Sequence, residues 1–133
     1  MTDGPAASWN GSFTLLLTED EDAVRAPLVR FLRRRGFSVL EARSGREALE
    51  VSQQHEGKID LLVTDLIMPG MNGRELAERV AVGRPEIQIV YISGYNDDEI
   101  ARRGLVDVRT VFLQKPFAPS QLVEVVEELL RSG

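Results

Sequence analysis

The sequence of 133 residues contains no cysteine and only one histidine. The absence of cysteine excludes disulfide bonds, thiolate metal sites and thiol catalysis, and it fits a reducing compartment. No stretch approaches the roughly 18 consecutive apolar residues of a membrane-spanning helix, and the first residues lack the basic-then-apolar order of a secretion signal. We therefore expect a cytoplasmic protein with no membrane segment.

Neither sign of charge dominates the composition. Acidic residues number 21 and basic residues 16, which gives a formal net charge of −5 and argues against direct binding of nucleic acid. The length is that of one domain. Residues 1–11 are rich in Gly, Ala, Ser and Pro, so we expect a flexible tail or linker there and one folded domain over residues 12–133.

Five short apolar runs alternate with helical patterns along the chain. The runs cover residues 13–18, 37–40, 59–64, 87–92 and 111–114. Helical spacing of apolar residues follows each run, weakest at residues 97–103. Such alternation predicts an α/β fold: a flavodoxin-like, doubly wound (βα)5 sandwich with a parallel sheet in the order 2-1-3-4-5.

Local signals place the helix ends, with one conflict. Ser44 with Glu47 predicts a capping box at a helix start, and Asn72, with Glu75 three residues on, is expected to cap the next helix. Pro27 falls about two turns into the first predicted helix, where it removes an amide donor. We therefore expect the first helix either to begin late or to be kinked.

Polar residues follow four of the five runs. Glu19 and Asp20 follow the first, Asp65 the third, Ser93 the fourth and Lys115 the fifth. Parallel strands end at one edge of a sheet, where ligands of such folds bind. Clustered carboxylates repel one another and are best explained by a cation. Oxygen ligands without Cys or His favour Mg²⁺ or Mn²⁺.

Each of these residues also has a plainer interpretation. Glu19 and Asp20 would complement the dipole of the following helix, Asp65 would serve only as a metal ligand or turn former, and Lys115 would be a surface lysine. Taken together they favour phosphoryl chemistry, with Asp65 as a nucleophile that forms an acyl phosphate. Lys115 would pair with Asp65 and with a phosphoryl oxygen, and Ser93 would supply a hydroxyl.

Four motifs, in this order and at these spacings, resemble the receiver domain of two-component response regulators. The resemblance covers Phe13 to about Arg131 and is greatest to receivers at the C-terminus of hybrid sensor histidine kinases, although a free-standing regulator is equally compatible. The motifs are Leu17-Thr18-Glu19-Asp20-Glu21, Asp65 followed by Met68-Pro69-Gly70-Met71-Asn72-Gly73, Ile92-Ser93-Gly94, and Phe112-Leu113-Gln114-Lys115-Pro116-Phe117.

The resemblance implies a chemistry for the acidic residues. Asp65 takes the place of the aspartate that accepts a phosphoryl group from a histidine kinase or a histidine phosphotransfer protein. Glu19 and Asp20 match acids that help to bind Mg²⁺, and Ile67 matches a residue whose backbone carbonyl contacts the metal. Such a module is not a classical turnover enzyme, since it promotes its own phosphorylation and dephosphorylation.

The resemblance also implies a switch. Ser93 matches the hydroxyl that contacts the phosphoryl group, and Lys115 the lysine that pairs with it. Phe112 matches an aromatic residue whose rotamer follows phosphorylation, while Ile67 and Tyr95 occupy positions that modulate the lifetime of the phosphoryl group. The face formed by the fourth predicted helix, the fifth strand and the last helix is then the implied homodimer or partner surface.

Three other functions are alternatives to phosphoryl transfer for a chain of this predicted fold. A flavodoxin-type cofactor binder would need a phosphate loop rich in Gly, Ser or Thr after the first strand, and a P-loop NTPase would need its own glycine-rich motif; neither motif is present. A docking module that is never phosphorylated is the third. We also predict a cis Lys115-Pro116 peptide bond, although only about 5–6% of X-Pro bonds in folded proteins are cis.

Overall fold

Five parallel strands form one sheet in the order β2-β1-β3-β4-β5, as predicted. The computed structural model describes residues 13–94, 99, 102, 104 and 111–132. Every predicted strand is observed, and its ends shift by two residues at most. The strands are β1 (Thr14–Thr18), β2 (Ser38–Ala42), β3 (Leu61–Asp65), β4 (Gln88–Ser93) and β5 (Val111–Gln114).

Four helices cover the two faces of the sheet within the described residues. They are α1 (Asp22–Arg34), α2 (Gly45–Gln54), α3 (Gly73–Gly83) and α4 (Pro119–Ser132). The predicted tail over residues 1–11 lies outside the described residues, as does almost all of the predicted helix over 97–103. None of the helices in the described ranges is long and apolar enough to cross a membrane.

Helix α1 does not begin late. It starts at Asp22 and runs through Pro27 to Arg34, so the late start is wrong. Pro27 has no amide hydrogen to donate to the carbonyl of Ala23, one turn earlier. The buried face of α1 includes Leu28 and Val29, and the packing of that face on the sheet outweighs the lost hydrogen bond.

The two predicted helix caps differ in their geometry. Asn72 caps the start of α3, as predicted, and together with Glu75 it forms a complete capping box. The hydroxyl of Ser44 accepts a hydrogen bond from the Glu47 amide at the start of α2. The Glu47 carboxylate, however, accepts from the amide of Arg43 rather than that of Ser44, so the predicted box is only half formed there.

Alternate residues of the strands face opposite layers of the core. Leu15 and Leu17 of β1 pack with α1 and α4, whereas Leu16 packs with α2 and α3. Strand β3 is buried along its whole length, as a strand covered on both faces requires. The central strands are therefore packed on both faces. This packing fixes the positions of the carboxyl ends of β1 and β3, from which the next residues continue.

Candidate functional site

An open cleft of about 450 Å³ lies at the carboxyl ends of the strands. Five of the residues predicted from the sequence line it, namely Asp20, Asp65, Ile67, Ser93 and Lys115. They come from β3, β4 and the segments that follow β1, β3 and β5. The parallel topology thus brings together side chains that lie far apart in the sequence.

Lys115 links two of the acids. Its Nζ lies 3.1 Å from Asp65 Oδ2 and 3.2 Å from Glu19 Oε1. The Lys115 amide donates to the Ser93 carbonyl oxygen at 2.7 Å, which extends the pairing of β4 with β5 by one residue. The Lys115-Pro116 peptide bond is cis, as predicted. The backbone of Lys115 is thus paired with β4, and its ammonium lies between the two carboxylates.

Glu19 is fully buried, whereas its neighbour Asp20 is exposed. Glu19 Oε2 accepts a hydrogen bond from the amide of Glu21 at 3.1 Å. Its Oε1 accepts no hydrogen bond within the described part of the chain, since its contact with Lys115 is an ion pair only. Carboxylate oxygens of Glu19, Asp20 and Asp65 lie within 4.8 Å of one another, close enough to share one cation.

The electrostatics of the cleft favour a cation as well. Burial, and then the negative charge of Glu19, raise the pKa of Asp65 to about 7, although Lys115 opposes them. Burial alone would lower the pKa of Lys115, but the charges of Asp65 and Glu19 raise it on balance. A divalent ion bound among the three acids would relieve the repulsion that raises the pKa of Asp65 and would favour its charged form.

The remaining predicted residues lie around the acids. Ser93 is 1% exposed and lies one residue beyond Ile92, the partner of Asp65 in the β3–β4 register. Ile67 is 48% exposed at the cleft. Phe112 is partly buried and packs against the core layer under α2 and α3. Tyr95, which sequence reasoning also singled out, lies outside the described residues.

Sequence reasoning missed two residues that support the acids. The side chain of Arg25 donates to the Glu19 carbonyl oxygen at 2.9 Å, and Gly73 lies directly against the Asp65 backbone. Arg25 could have been noticed, because it lies on the helical stripe of Leu28 and Leu32, where a charge is unexpected. The contact of Gly73 depends on how α3 approaches β3, so no local signal predicts it.

The family model for the response regulator receiver domain matches residues 15–127, which is most of the chain. The chain belongs to this family. It is a receiver domain of two-component systems, as the sequence motifs indicate. The family match also agrees with the observed sheet order, since solved receiver structures share the fold of this chain.

Two relatives of this chain differ greatly in length. The chain is 44% identical over 125 residues to the sensor kinase CckA of Brucella abortus (strain 2308), covering 94% of this chain but 13% of the kinase. It is 36% identical to the response regulator receiver protein CpdR of the same organism, covering 87% of this chain and 95% of that protein. The chain therefore corresponds to one module of the kinase and to nearly all of CpdR.

Two solved structures show the same relationship. The receiver domain from the hybrid histidine kinase CckA superposes with a TM-score of 0.73 at 38% identity, covering 86% of this chain and 96% of that one. A response regulator receiver protein from Sinorhizobium medicae WSM419 gives a TM-score of 0.77 at 32% identity, covering 90% and 94%. The predicted similarity to a hybrid-kinase receiver is confirmed.

Proposed function

We propose that this receiver accepts a phosphoryl group on Asp65, in a Mg²⁺-dependent reaction, from the phosphohistidine of a histidine kinase or a histidine phosphotransfer protein. The observation that carries the proposal is the pairing of Asp65 Oδ2 with Lys115 Nζ at 3.1 Å within an open cleft. Asp65 is largely buried and forms an ion pair with Lys115, but it also lines the cleft. A phosphodonor that enters the cleft would therefore reach its carboxylate.

The proposed transfer is a displacement at phosphorus. A carboxylate oxygen of Asp65 attacks, the phosphorus–nitrogen bond of the phosphohistidine breaks, and its electron pair returns to the imidazole nitrogen. An acyl phosphate forms on Asp65. Lys115 pairs with a phosphoryl oxygen, and the Ser93 hydroxyl donates a hydrogen bond to another. Hydrolysis of the acyl phosphate removes the group again. The group that is phosphorylated and dephosphorylated is a residue of the domain itself, so the domain is not a conventional turnover enzyme.

The carboxylates of Glu19, Asp20 and Asp65, with the backbone carbonyl of Ile67, would hold the Mg²⁺. The fit rests on the buried Glu19 Oε1, which accepts no hydrogen bond from the described residues, and on a donor set that consists of oxygen atoms only. Mn²⁺ suits the same ligands. Once bound, the ion neutralises charge on the phosphoryl oxygens.

Phosphorylation would change the surface through Ser93 and Phe112. Movement of Ser93 towards the phosphoryl group vacates space behind it, and Phe112, already packed at the edge of the core, turns inward to fill that space. The face formed by the predicted helix over 97–103, β5 and α4 would then bind a partner or a second copy of the domain. Linkage of this kind typically amounts to about 1–3 kcal/mol.

The domain as proposed covers residues 12–133 and works in the cytoplasm, either as the receiver of a hybrid sensor kinase or as a single-domain regulator. The lengths of the two Brucella relatives support both settings, because one contains such a module in a much longer chain and the other consists of little else. The proposed chemistry at Asp65 is the same in either.

Intact-mass spectrometry tests the proposal. The full chain is incubated with Mg²⁺ and acetyl phosphate as a small phosphodonor, and the wild type should gain an acid-labile adduct of about 80 Da, the mass of one phosphoryl group. Asp65→Asn should gain none. Asp60→Asn is the matched control, since Asp60 precedes the same strand at the opposite edge of the sheet and accepts a hydrogen bond from Thr14; it should be modified normally.

Two results would overturn the assignment. A full adduct on Asp65→Asn would place the phosphoryl group elsewhere. A wild type that gains no adduct with the small donor, and none with a phosphorylated histidine phosphotransfer protein, would favour a docking module in which phosphorylation plays no part.

A further inference from the structure

Arg25 is a buried cation that the proposed chemistry does not use. It is only 7% exposed and lies on the face of α1 that packs on the sheet with Leu28, Val29 and Leu32. A charge in such a position destabilises the fold unless its hydrogen bonds are satisfied. The acceptors of the guanidinium therefore indicate what the side chain is for.

Three acceptors surround the guanidinium of Arg25. Its Nη1 donates to the backbone carbonyl oxygen of Glu19 at 2.9 Å, and this contact is buried. Its Nε donates to Glu41 Oε1 at 3.1 Å, and its Nη2 donates to the carboxylate of Asp22. Both carboxylates belong to exposed side chains, Asp22 at 75% and Glu41 at 41%. The contacts with Glu41 and Asp22 compensate the charge of Arg25. The buried contact with the Glu19 carbonyl oxygen holds the backbone at the acidic cleft.

The carbonyl that Arg25 holds belongs to the peptide bond between Glu19 and Asp20. This bond is planar, so fixing its oxygen also fixes the direction in which Asp20 leaves the strand. On the other side, the Glu19 amide donates to the Ala42 carbonyl oxygen at 3.1 Å. Glu19 is therefore anchored through both its amide and its carbonyl, and Arg25 supplies the second anchor.

We propose that Arg25 is a positioning residue for the metal ligands: by holding the Glu19 carbonyl, it directs the carboxylates of Glu19 and Asp20 towards one cation. This inference rests on the proposed function, because it assumes that the acidic cleft binds Mg²⁺. Arg25 itself is not among the residues that line the cleft, so it would act through Glu19 and Asp20.

Positioning and electrostatics predict opposite effects when Arg25 is replaced. A cation beside the cleft repels Mg²⁺, so loss of the Arg25 charge would by Coulomb's law strengthen Mg²⁺ binding. Loss of the anchor would weaken it, because freed ligands must be ordered again when the ion binds. Groups that orient metal ligands typically change metal affinity by about 10–100-fold when removed. The direction of the change therefore separates the two roles.

The test is calorimetric titration of the full chain with Mg²⁺ alone, in wild type, Arg25→Gln, Arg25→Lys and Arg33→Gln. Arg33 is the matched control, since it lies on the same helix, donates to the Val39 carbonyl oxygen of β2 and pairs with Glu41 Oε2 at 3.8 Å. Unlike Arg25, it has no hydrogen bond or ion pair with Glu19 in the described part of the chain. We expect the Kd for Mg²⁺ to rise about tenfold in Arg25→Gln and to stay within about twofold of wild type in Arg33→Gln, as for an exposed pair.

Arg25→Lys keeps the charge and much of the stem but lacks the planar fork that reaches Glu19 and Glu41 together. We expect it to bind Mg²⁺ more weakly than wild type, and it carries the test if Arg25→Gln does not fold. A second readout is the rate at which acetyl phosphate phosphorylates Asp65, measured as a function of Mg²⁺ concentration. The Mg²⁺ concentration at half-maximal rate should rise in the Arg25 variants, whereas the rate at saturating Mg²⁺ should remain near that of wild type.

Unchanged or tighter Mg²⁺ binding in a folded Arg25 variant would overturn the inference, as would an equal loss of affinity in Arg33→Gln. These results are distinct from failure of the proposed function. In that case the wild type itself would not bind Mg²⁺, or Asp65 in the wild type would not be modified.

Discussion

Gly73, the first residue of α3, lies against the Asp65 backbone so closely that a Cβ at position 73 would be 2.2 Å from the Asp65 carbonyl oxygen. The Gly73 amide also donates to the Leu66 carbonyl oxygen at 2.8 Å. The start of α3 and the end of β3 therefore share one contact that no side chain can enter. The position of the proposed phosphoacceptor therefore depends on a glycine at the first position of α3.

We predict that Gly73→Ala destabilises the domain and impairs modification of Asp65. Since neither backbone segment can move without breaking hydrogen bonds, the free energy of unfolding should fall by about 1–3 kcal/mol, as in other overpacked sites. Urea denaturation measures the loss. Gly83→Ala is the control within the same helix, because a Cβ there meets nothing within 4 Å. It should be neutral or stabilising by about 0.5–1 kcal/mol, and equal effects of the two variants would refute the steric argument.

The raised pKa of Asp65 predicts how the stability of the metal-free protein depends on pH. The native carboxyl has a pKa of about 7 and keeps its proton up to about that pH, whereas the unfolded carboxyl loses it near 3.8, the ordinary pKa of an aspartate. The native state therefore binds more protons between these values, and this group's contribution to stability is lost as pH rises through about 7.

Asp65→Asn, which stays neutral, should escape this loss. Relative to wild type, its free energy of unfolding should be higher at about pH 8 than at about pH 5 by roughly 1–2 kcal/mol, after allowance for solvent screening and for Lys115. Urea denaturation in a chelating buffer at both pH values provides the measurement. A difference between the two proteins that stays constant with pH would contradict the raised pKa.

Asp20 and Lys115 should serve different steps because their charges are opposite. Asp20→Ala removes an exposed carboxylate from the cleft and should weaken Mg²⁺ binding about tenfold or more. Lys115→Gln removes a cation from the cleft, so it should not weaken Mg²⁺ binding, but it should impair the response of the domain to phosphorylation. Calorimetric titration of both variants checks the first step, and amide exchange with a phosphoryl mimic checks the second. An unchanged Mg²⁺ affinity in Asp20→Ala would argue against its role as a ligand.

The proposed switch predicts where the domain moves. Binding of Mg²⁺ with beryllium fluoride, which mimics a phosphoryl group, should change amide exchange over residues 94–117, because Ser93 and Phe112 would rearrange together. Phe112→Leu should bind the mimic but show a smaller change there, since its side chain fills the vacated space less well. A change confined to another face of the domain would show that this mechanism is wrong.

The pattern of apolar residues along the chain is enough to predict the fold and the edge of the sheet at which the site lies. Apolar runs of strand length, separated by helical spacing, dictate a parallel sheet, and Asp65 and Lys115 each follow such a run. Once the strands are parallel, their ends must meet at one edge, so the predicted residues come together without knowledge of any contact. The period of a strand or helix is a property of the local chain, and local sequence is enough to reveal it.

Other features arise from contacts between segments that are distant in the sequence, so only the tertiary structure reveals them. Pro27 lies inside a continuous α1 because packing outweighs a local penalty. The anchoring of Glu19 by Arg25 and the contact of Gly73 with Asp65 require atoms of separate elements to meet within a few ångströms. The raised pKa of Asp65 arises from burial and from Glu19, on a neighbouring segment. Such effects vary steeply with distance and dielectric surroundings, so the one-dimensional pattern cannot specify them.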